Sequence, residues 1–356
     1  PIAGICADRF DVRRVSLVVM SLQVGCLLLL AGATQSSLPV VAVLYACQGV
    51  LSAFWLPARQ RWLYGVVPVD LRHRANAAIG SINGIMSIVG AAGGGLLSAW
   101  HPAVAIMAAG GLQALGYLQL LRVPPTETQS VVRTHVSLSS VWTELREGVQ
   151  AAQHFPLARS VVLIGIAWGL IGGGYNILLA GHVTQGLHGD AATLGLVYVA
   201  DGLSVIVGTA IAGRITRSRH LAVYAGAYVL QGAAWALTFA ASQLALAVGC
   251  LIVMRLASGL IIALDMTILL DKVPDKLRGR ITSLHMTTYN AVARISLGAL
   301  SATLTVLSVT TVGLISGIAS VTVGIAWWCW SGRHANALYL ARDTETGIDN
   351  LSMEKK

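Results

Sequence analysis

Residues 244–269 read LALAVGCLIVMRLASGLIIALDMTIL, running from Leu244 to Leu269. A helix that crosses the hydrocarbon core of a bilayer needs about 20 mostly apolar residues, each adding about 1.5 Å. This stretch exceeds that length and carries only Arg255 and Asp265 as charges. It predicts a membrane-spanning helix with ionisable groups inside it. Nine similar runs flank it: Val15–Ala33, Leu38–Leu56, Ala77–Trp100, Ala103–Leu121, Val161–Leu179, Leu194–Ala212, Leu221–Ala241, Ile281–Val306 and Thr311–Trp330. Short polar turns such as Thr34–Ser37 and His101–Pro102 separate them. The expectation is ten spans.

The composition agrees. Of the 356 residues 55% are hydrophobic and 11% charged, and the mean hydropathy is +0.71. An ordinary soluble domain carries about 25% charge, and a core of this size cannot hide so much apolar surface from water. Disorder, a disulfide scaffold and most cytosolic enzymes are excluded, and an integral membrane protein remains. Cys6, Cys26, Cys47, Cys250 and Cys329 lie far apart in the chain, without metal-ligand or redox spacing. They read as small apolar fillers.

The net charge of +9 has a distribution that explains it. Basic residues fall on alternate connections: Arg9, Arg13 and Arg14; Arg59, Arg61, Arg72 and Arg74; Arg122, Arg133, Arg146 and Arg159; Arg214, Arg217 and Arg219; Lys272, Lys276, Arg278 and Arg280. Arg333, Arg342, Lys355 and Lys356 add a basic tail. The intervening connections hold none. The positive-inside rule assigns the rich side to the cytoplasm, so both ends of this chain are expected there. The basic balance then needs no nucleic-acid partner; the expected partners are the lipid bilayer and a small molecule.

The chain repeats itself. Val67-Pro68-Val69-Asp70-Leu71-Arg72-His73-Arg74 matches Val273-Pro274-Asp275-Lys276-Leu277-Arg278-Gly279-Arg280, Ile2-Ala3-Gly4 matches Ile211-Ala212-Gly213, and Gln48-Gly49 aligns with Ser258-Gly259. The three matches share nearly one offset, which indicates a duplication of the kind that builds transporters with a site between their halves. Two spans precede Gly213 but almost nothing precedes Gly4. The expectation is a fragment of a twelve-span protein, with about 55 residues and two spans missing upstream. The organisation read from the sequence is a first half over 1–121, a central cytoplasmic connection over 122–156, a second half over 157–331 and a cytoplasmic tail over 332–356. In the connection, Leu138, Val141, Trp142, Leu145 and Val149 recur at helical spacing among Glu144, Arg146 and Glu147. That pattern predicts an amphipathic helix on the membrane surface, serving as a structural linker.

Gly4-Ile5-Cys6-Ala7-Asp8-Arg9-Phe10-Asp11-Val12-Arg13-Arg14 resembles the signature loop of the major facilitator superfamily, a Gly, three residues, Asp-Arg and a basic pair. The Asp-Arg-Phe-Asp form is similar to the bacterial exporter branch, of the enterobactin-exporter and transmembrane secretion effector type. Gly213-Arg214-Ile215-Thr216-Arg217-Ser218-Arg219 keeps the Gly and the basic residues but has no acid matching Asp8. Arg255-Leu256-Ala257-Ser258-Gly259 resembles the superfamily's Arg-x-x-Gln-Gly motif, while Tyr45 takes the Arg position before Gln48-Gly49. Gly90-Ala91-Ala92-Gly93-Gly94-Gly95 resembles the exporter motif Gly-Pro-x-x-Gly-Gly, with Ala91 in place of Pro. The resemblance implies an all-α major facilitator fold with ten of its twelve transmembrane helices present in two pseudo-symmetric halves. It also implies alternating access.

Candidate residues follow. Gly4, Asp8, Arg9, Arg13 and Arg14 form a gating loop, in which the Asp8 carboxylate and Arg9 hold the cytoplasmic mouth shut in one state. Arg13 and Arg14 serve there as topology anchors. Asp201, Arg255, Asp265 and Arg294 lie inside spans, where each costs about 2.5–3.5 kcal/mol on insertion scales. They are expected to face the interior or a watery cavity. Asp201 or Asp265 takes and releases a coupling proton, and Arg255 or Arg294 tunes it or binds an anionic group of the substrate. Asp265 alternatively joins a loop cluster with Asp271 and Lys272. Asn83, Gln113, Asn176, His285 and Asn290 are read as interhelical hydrogen-bonding or packing residues, with Asn176 on a flexible, cavity-facing segment after Gly172-Gly173-Gly174. Gly90, Gly94 and Gly95 are read as a helix-packing stripe.

No phosphate-binding Gly-Lys-Ser/Thr loop, His-Glu-x-x-His or Gly-x-Ser-x-Gly occurs, so no enzyme activity and no cofactor is expected. The leading expectation is a monomeric, proton-driven exporter of a drug, siderophore or metabolite in a bacterial inner membrane. The alternatives are a facilitator or importer of the same fold, a non-functional truncated transporter and, least favoured, a membrane enzyme.

Overall fold

The computed structural model describes residues 12–68, 71–122 and 138–332. Among them helix dominates and no strand occurs. The helices are α1 (Val12–Gly32), α2 (Leu38–Val66), α3 (Arg72–Trp100), α4 (Pro102–Arg122), α5 (Leu138–Gln153), α6 (Pro156–Gly172), α7 (Tyr175–Gly181), α8 (Ala191–Ala212), α9 (His220–Ala240), α10 (Leu244–Leu270), α11 (Asp275–Thr303) and α12 (Val309–Trp327). Wide π turns follow α7 and α12, at His182–Gly186 and Trp328–Gly332.

Each of the ten apolar runs coincides with one of these helices, α6 and α7 together making one span. Among the described residues, eight segments are long and apolar enough to cross a membrane. The other two are α2, apolar over Pro39–Ser52, and α11. Both extend past the apolar run into basic residues. Helix α2 continues through Arg59 and Arg61, and α11 begins with Asp275, Lys276, Arg278 and Arg280, ahead of the expected start at Ile281. Helix α3 likewise starts at Arg72 rather than Ala77. A helix that leaves the hydrocarbon still satisfies its backbone internally, so charge marks the membrane surface and not the helix end.

The chain forms two compact units: Pro1–Val141 with Ala191–Leu196, and Trp142–Asp190 with Val197–Lys356. In the first, α1 packs against α2 and α4. Gln23 at its centre donates through Nε2 to Ser52 Oγ at 3.0 Å and accepts from Gln113 Nε2 at 2.8 Å. The Arg13 guanidinium donates to the Leu121 carbonyl at 2.9 Å, tying the start of α1 to the end of α4. That carbonyl belongs to the last turn of a helix, where acceptors are otherwise unfilled.

In the second unit, α9 packs against α10 and α12, and α11 against α6. The amphipathic pattern forms α5, which docks on α11: Gly148 faces Leu284, and Glu147 pairs with Arg280 at 3.2 Å. The Gly172-Gly173-Gly174 run interrupts the helix between α6 and α7. A Cβ at Gly173 would strike the Ala293 carbonyl, and one at Gly174 the Leu300 side chain. The glycine run is thus a tight contact with α11 rather than an open segment, while Asn176 beyond it lines a cavity of about 830 Å³.

Candidate coupling and substrate site

Helices α8 and α10 meet backbone to backbone. A Cβ at Gly208 would strike the Leu256 carbonyl, and one at Gly259 would strike the Val205 carbonyl and lie 2.7 Å from the Thr209 nitrogen. Small residues permit such an approach where lipid offers no hydrophobic drive for helix association. About two turns along α8 from Gly208, the same contact brings together Asp201 and Arg255, paired through Oδ1 and Nε. Asp201 is 8% exposed.

Aromatic rings enclose this pair. The Arg255 Cζ lies 4.9 Å from the centroid of the Tyr175 ring. Tyr175 stacks on Trp235, with centroids 5.1 Å apart and planes at 28°. The Tyr175 and Tyr198 side chains both interact with the Asp201 carboxylate. A guanidinium stays charged under all ordinary conditions. Carboxylate and ring together hold a permanent cation that apolar surroundings alone would expel.

A second pair lies ten residues further along α10, about 15 Å away by helical rise. Asp265 accepts a hydrogen bond at Oδ1 from the Tyr224 hydroxyl, at 2.5 Å. Its Oδ2 lies 2.7 Å from Nε2 of His285 on α11. The Tyr224 and Tyr228 oxygens are 3.5 Å apart. His285 is 4% exposed and rests on Gly165, where an added Cβ would lie 3.0 Å from its Nδ1. A carboxylate only accepts, so the Asp265–His285 contact always contains a proton, on one partner or the other. Among the described residues, the buried His285 Nδ1 has no hydrogen-bond partner. Tyr289, one turn beyond His285, lies within electrostatic reach of both Arg255 and Asp265.

The structure therefore joins Asp201 to Arg255 directly and gives Asp265 a different partner. Asp271 pairs with Arg217 at 2.5 Å. Arg294 is exposed and meets no carboxylate among the described residues. Helix α11 turns His285 and not Arg294 toward Asp265 on α10. Asn290 bonds the Met286 carbonyl of its own helix at 2.7 Å rather than a neighbouring one. Gly4, Asp8 and Arg9 lie outside the described residues; Arg14 is exposed at the start of α1.

Of the glycine stripe on α3, Gly95 approaches Gly195 closely, an added Cβ lying 2.6 Å from its Cα. Among the described residues, nothing lies within 4 Å of a Cβ at Gly90 or Gly94. The sequence reading does not single out Tyr175, Trp235 and Tyr224, and it takes His285 as a packing residue. The spacing of Tyr224 and Tyr228, which puts both rings on one helix face, was the available signal.

Residues 1–179 match the sequence model of the Major Facilitator Superfamily. No curated protein matches the sequence significantly. Among solved structures, the chain resembles the nucleoside transporter NupG at 14% identity and TM-score 0.63, covering 92% of this chain and 85% of that one. A D-xylose–proton symporter is similar at 13% identity and TM-score 0.63, with 92% and 82% covered. An inward-facing bacterial homologue of the iron transporter ferroportin follows at 14% identity and TM-score 0.60, with 92% and 87% covered. At such identities these likenesses concern the fold.

Proposed function

The chain belongs to the major facilitator superfamily, and on that basis we propose that it is a proton-coupled secondary transporter that expels a small amphipathic compound by alternating access. The observation that carries this reading is the cluster that joins the half-buried Asp265 of α10 to the buried Tyr224 of α9 and His285 of α11. Ionisable groups are expensive at membrane depth and are kept there for ion or substrate handling. Arrival of a proton neutralises the Asp265 carboxylate or charges the His285 ring. Either event changes the attraction that ties α10 to α11, and so biases the state of the second unit.

The Asp201–Arg255 pair supplies the substrate contact. An anionic group of the compound competes with Asp201 for the guanidinium, and the Tyr175–Trp235 stack offers a face to its apolar part. Substrate binding then releases Asp201, which links occupancy to the α8–α10 contact. The loop around Asp8 and Arg9 acts as the cytoplasmic gate. The protein works in a bacterial inner membrane, with both ends of this chain cytoplasmic, as a monomer without cofactor. It is a transporter rather than an enzyme.

Inside-out vesicles carrying the full-length protein test this reading. A pH gradient is followed with a quenched dye while lipophilic cations, siderophores and anionic metabolites are added. Substrate-dependent dequenching, lost in Asp265→Asn, is the expected result. A D-xylose–proton symporter among the fold neighbours favours import as the second reading. Accumulation that runs with the proton in right-side-out vesicles, without dequenching in inverted ones, makes import the correct direction. Flux that ignores the gradient makes the protein a facilitator.

A further inference from the structure

The second unit contains a cavity of about 980 Å³ at the adjoining ends of α6, α10 and α12. None of its lining residues belongs to either of the two ion pairs of the candidate site. Its lining is divided by depth. His154 and Arg159 flank the start of α6, and Lys272 follows the end of α10. All three are exposed. His154 is steadied by its Nδ1 contact to the Gln150 carbonyl at 2.8 Å. One turn deeper on α6 is Leu163, about 6 Å along the axis from Arg159, and it lines the same cavity as Val323 and Trp327. Trp330, 83% exposed, stands at the rim. Among the described lining residues none is acidic.

We propose that this cavity binds an anionic glycerophospholipid, its phosphate between Arg159 and Lys272 and its acyl chains against Leu163, Val323 and Trp327. Three observations favour that occupant. The basic groups gather at one end, where helices leave the membrane, and basic pockets between helices at that level suit anionic headgroups. The apolar wall begins one helical turn further in, the separation of charge and hydrocarbon found in a lipid. Tryptophan at the rim suits the headgroup level, where its ring is apolar and its N–H polar. A neutral hydrophobic ligand would make no use of the cations, and a small free anion would leave the wall uncovered. The proposal is independent of the transport reading.

The test uses the full chain purified in detergent and native mass spectrometry with dioleoyl phosphatidylglycerol or dioleoyl phosphatidylcholine as probe. The expected result is a preference of about tenfold for phosphatidylglycerol, lost in the double variant R159A/K272A and kept in R159K/K272R. Melting curves establish that the variants fold. Equal retention of both lipids, or a preference unchanged in R159A/K272A, overturns the proposal. A second measurement needs no charge variant: phosphatidylglycerol brominated on its acyl chains should quench tryptophan emission more than the brominated choline lipid. That excess should fall in Trp330→Phe. Equal quenching by the two lipids overturns the proposal, as does an excess untouched by Trp330→Phe. If residues 333–356 fill the cavity instead, deleting them will create a preference that the full chain lacks, and that outcome also overturns it.

Discussion

His285 and Asp265 lie on helices that succeed one another in the chain, and Nε2 of the first is 2.7 Å from Oδ2 of the second. The carboxylate's other oxygen is held by Tyr224 at 2.5 Å. Both acceptor oxygens are thus occupied by groups that can give up or keep a proton. Asp265→Asn keeps the size of the side chain but cannot exchange a proton. Flux driven by a pH gradient should fall by about tenfold or more, while substrate counterflow at equal pH persists. His285→Gln should lower driven flux in the same direction. A normal pH profile in Asp265→Asn would exclude this residue from coupling.

The Asp201–Arg255 pair invites a double-mutant cycle. Asp201→Asn leaves the Arg255 guanidinium facing Tyr175 without its carboxylate. Removing one partner of a buried pair destabilises by about 3–5 kcal/mol when burial is complete. The Arg255 side chain is 21% exposed, so a loss of about 2 kcal/mol is expected. The double variant D201N/R255Q should recover part of it, with a coupling of about 1–3 kcal/mol in thermal melts. Additive losses would show that the two side chains do not depend on one another.

The spans were legible because hydrophobic length is a one-dimensional property. The same holds for Arg255 and Asp265, whose separation along α10 excludes a direct pair on sequence grounds alone. Partner choice was not legible in that way. It depends on how far each helix is rotated about its axis, and a rotation is fixed by contacts such as Gly165 on His285 and Gly259 on Val205. Arg294 and His285 both lie on α11, and no pattern in the sequence prefers the second. The ends of α2, α3 and α11 escaped for a different reason. Apolar runs stop at the membrane surface, whereas backbone hydrogen bonding carries the helices on through Arg61, Arg72 and Asp275.

Gly259 and Gly226 make a controlled comparison. A Cβ at Gly259 would run into the backbone of α8, while one at Gly226 on α9 meets nothing within 4 Å. Gly259→Ala must therefore separate α8 from α10 and weaken the Asp201–Arg255 contact as well. A loss of about 1–3 kcal/mol is expected by melting in detergent. Gly226→Ala should be neutral or slightly stabilising, since alanine is the better helix former by about 1 kcal/mol. Equal effects at both positions would mean that α8 and α10 do not meet at Gly259.

The stripe on α3 divides in the same manner, with a functional consequence. Gly95→Ala places a methyl against Gly195 and the Ala191 carbonyl, the latter 2.9 Å away, and should destabilise the protein. Gly90→Ala and Gly94→Ala add a methyl where nothing lies within 4 Å. Their melting temperatures should hold or rise, following the helix preference of alanine. If these glycines only thin the helix, transport in both variants will match the unsubstituted protein. If instead another conformation of the cycle closes on this face, the rate will fall while the melting temperature does not. We expect the second pattern, because alternating access requires packed surfaces that exist in one state and not the other. Vesicle flux measured beside thermal melts on the same three variants separates the two outcomes, and a melting temperature lowered equally at all three positions would refute both the division and its consequence.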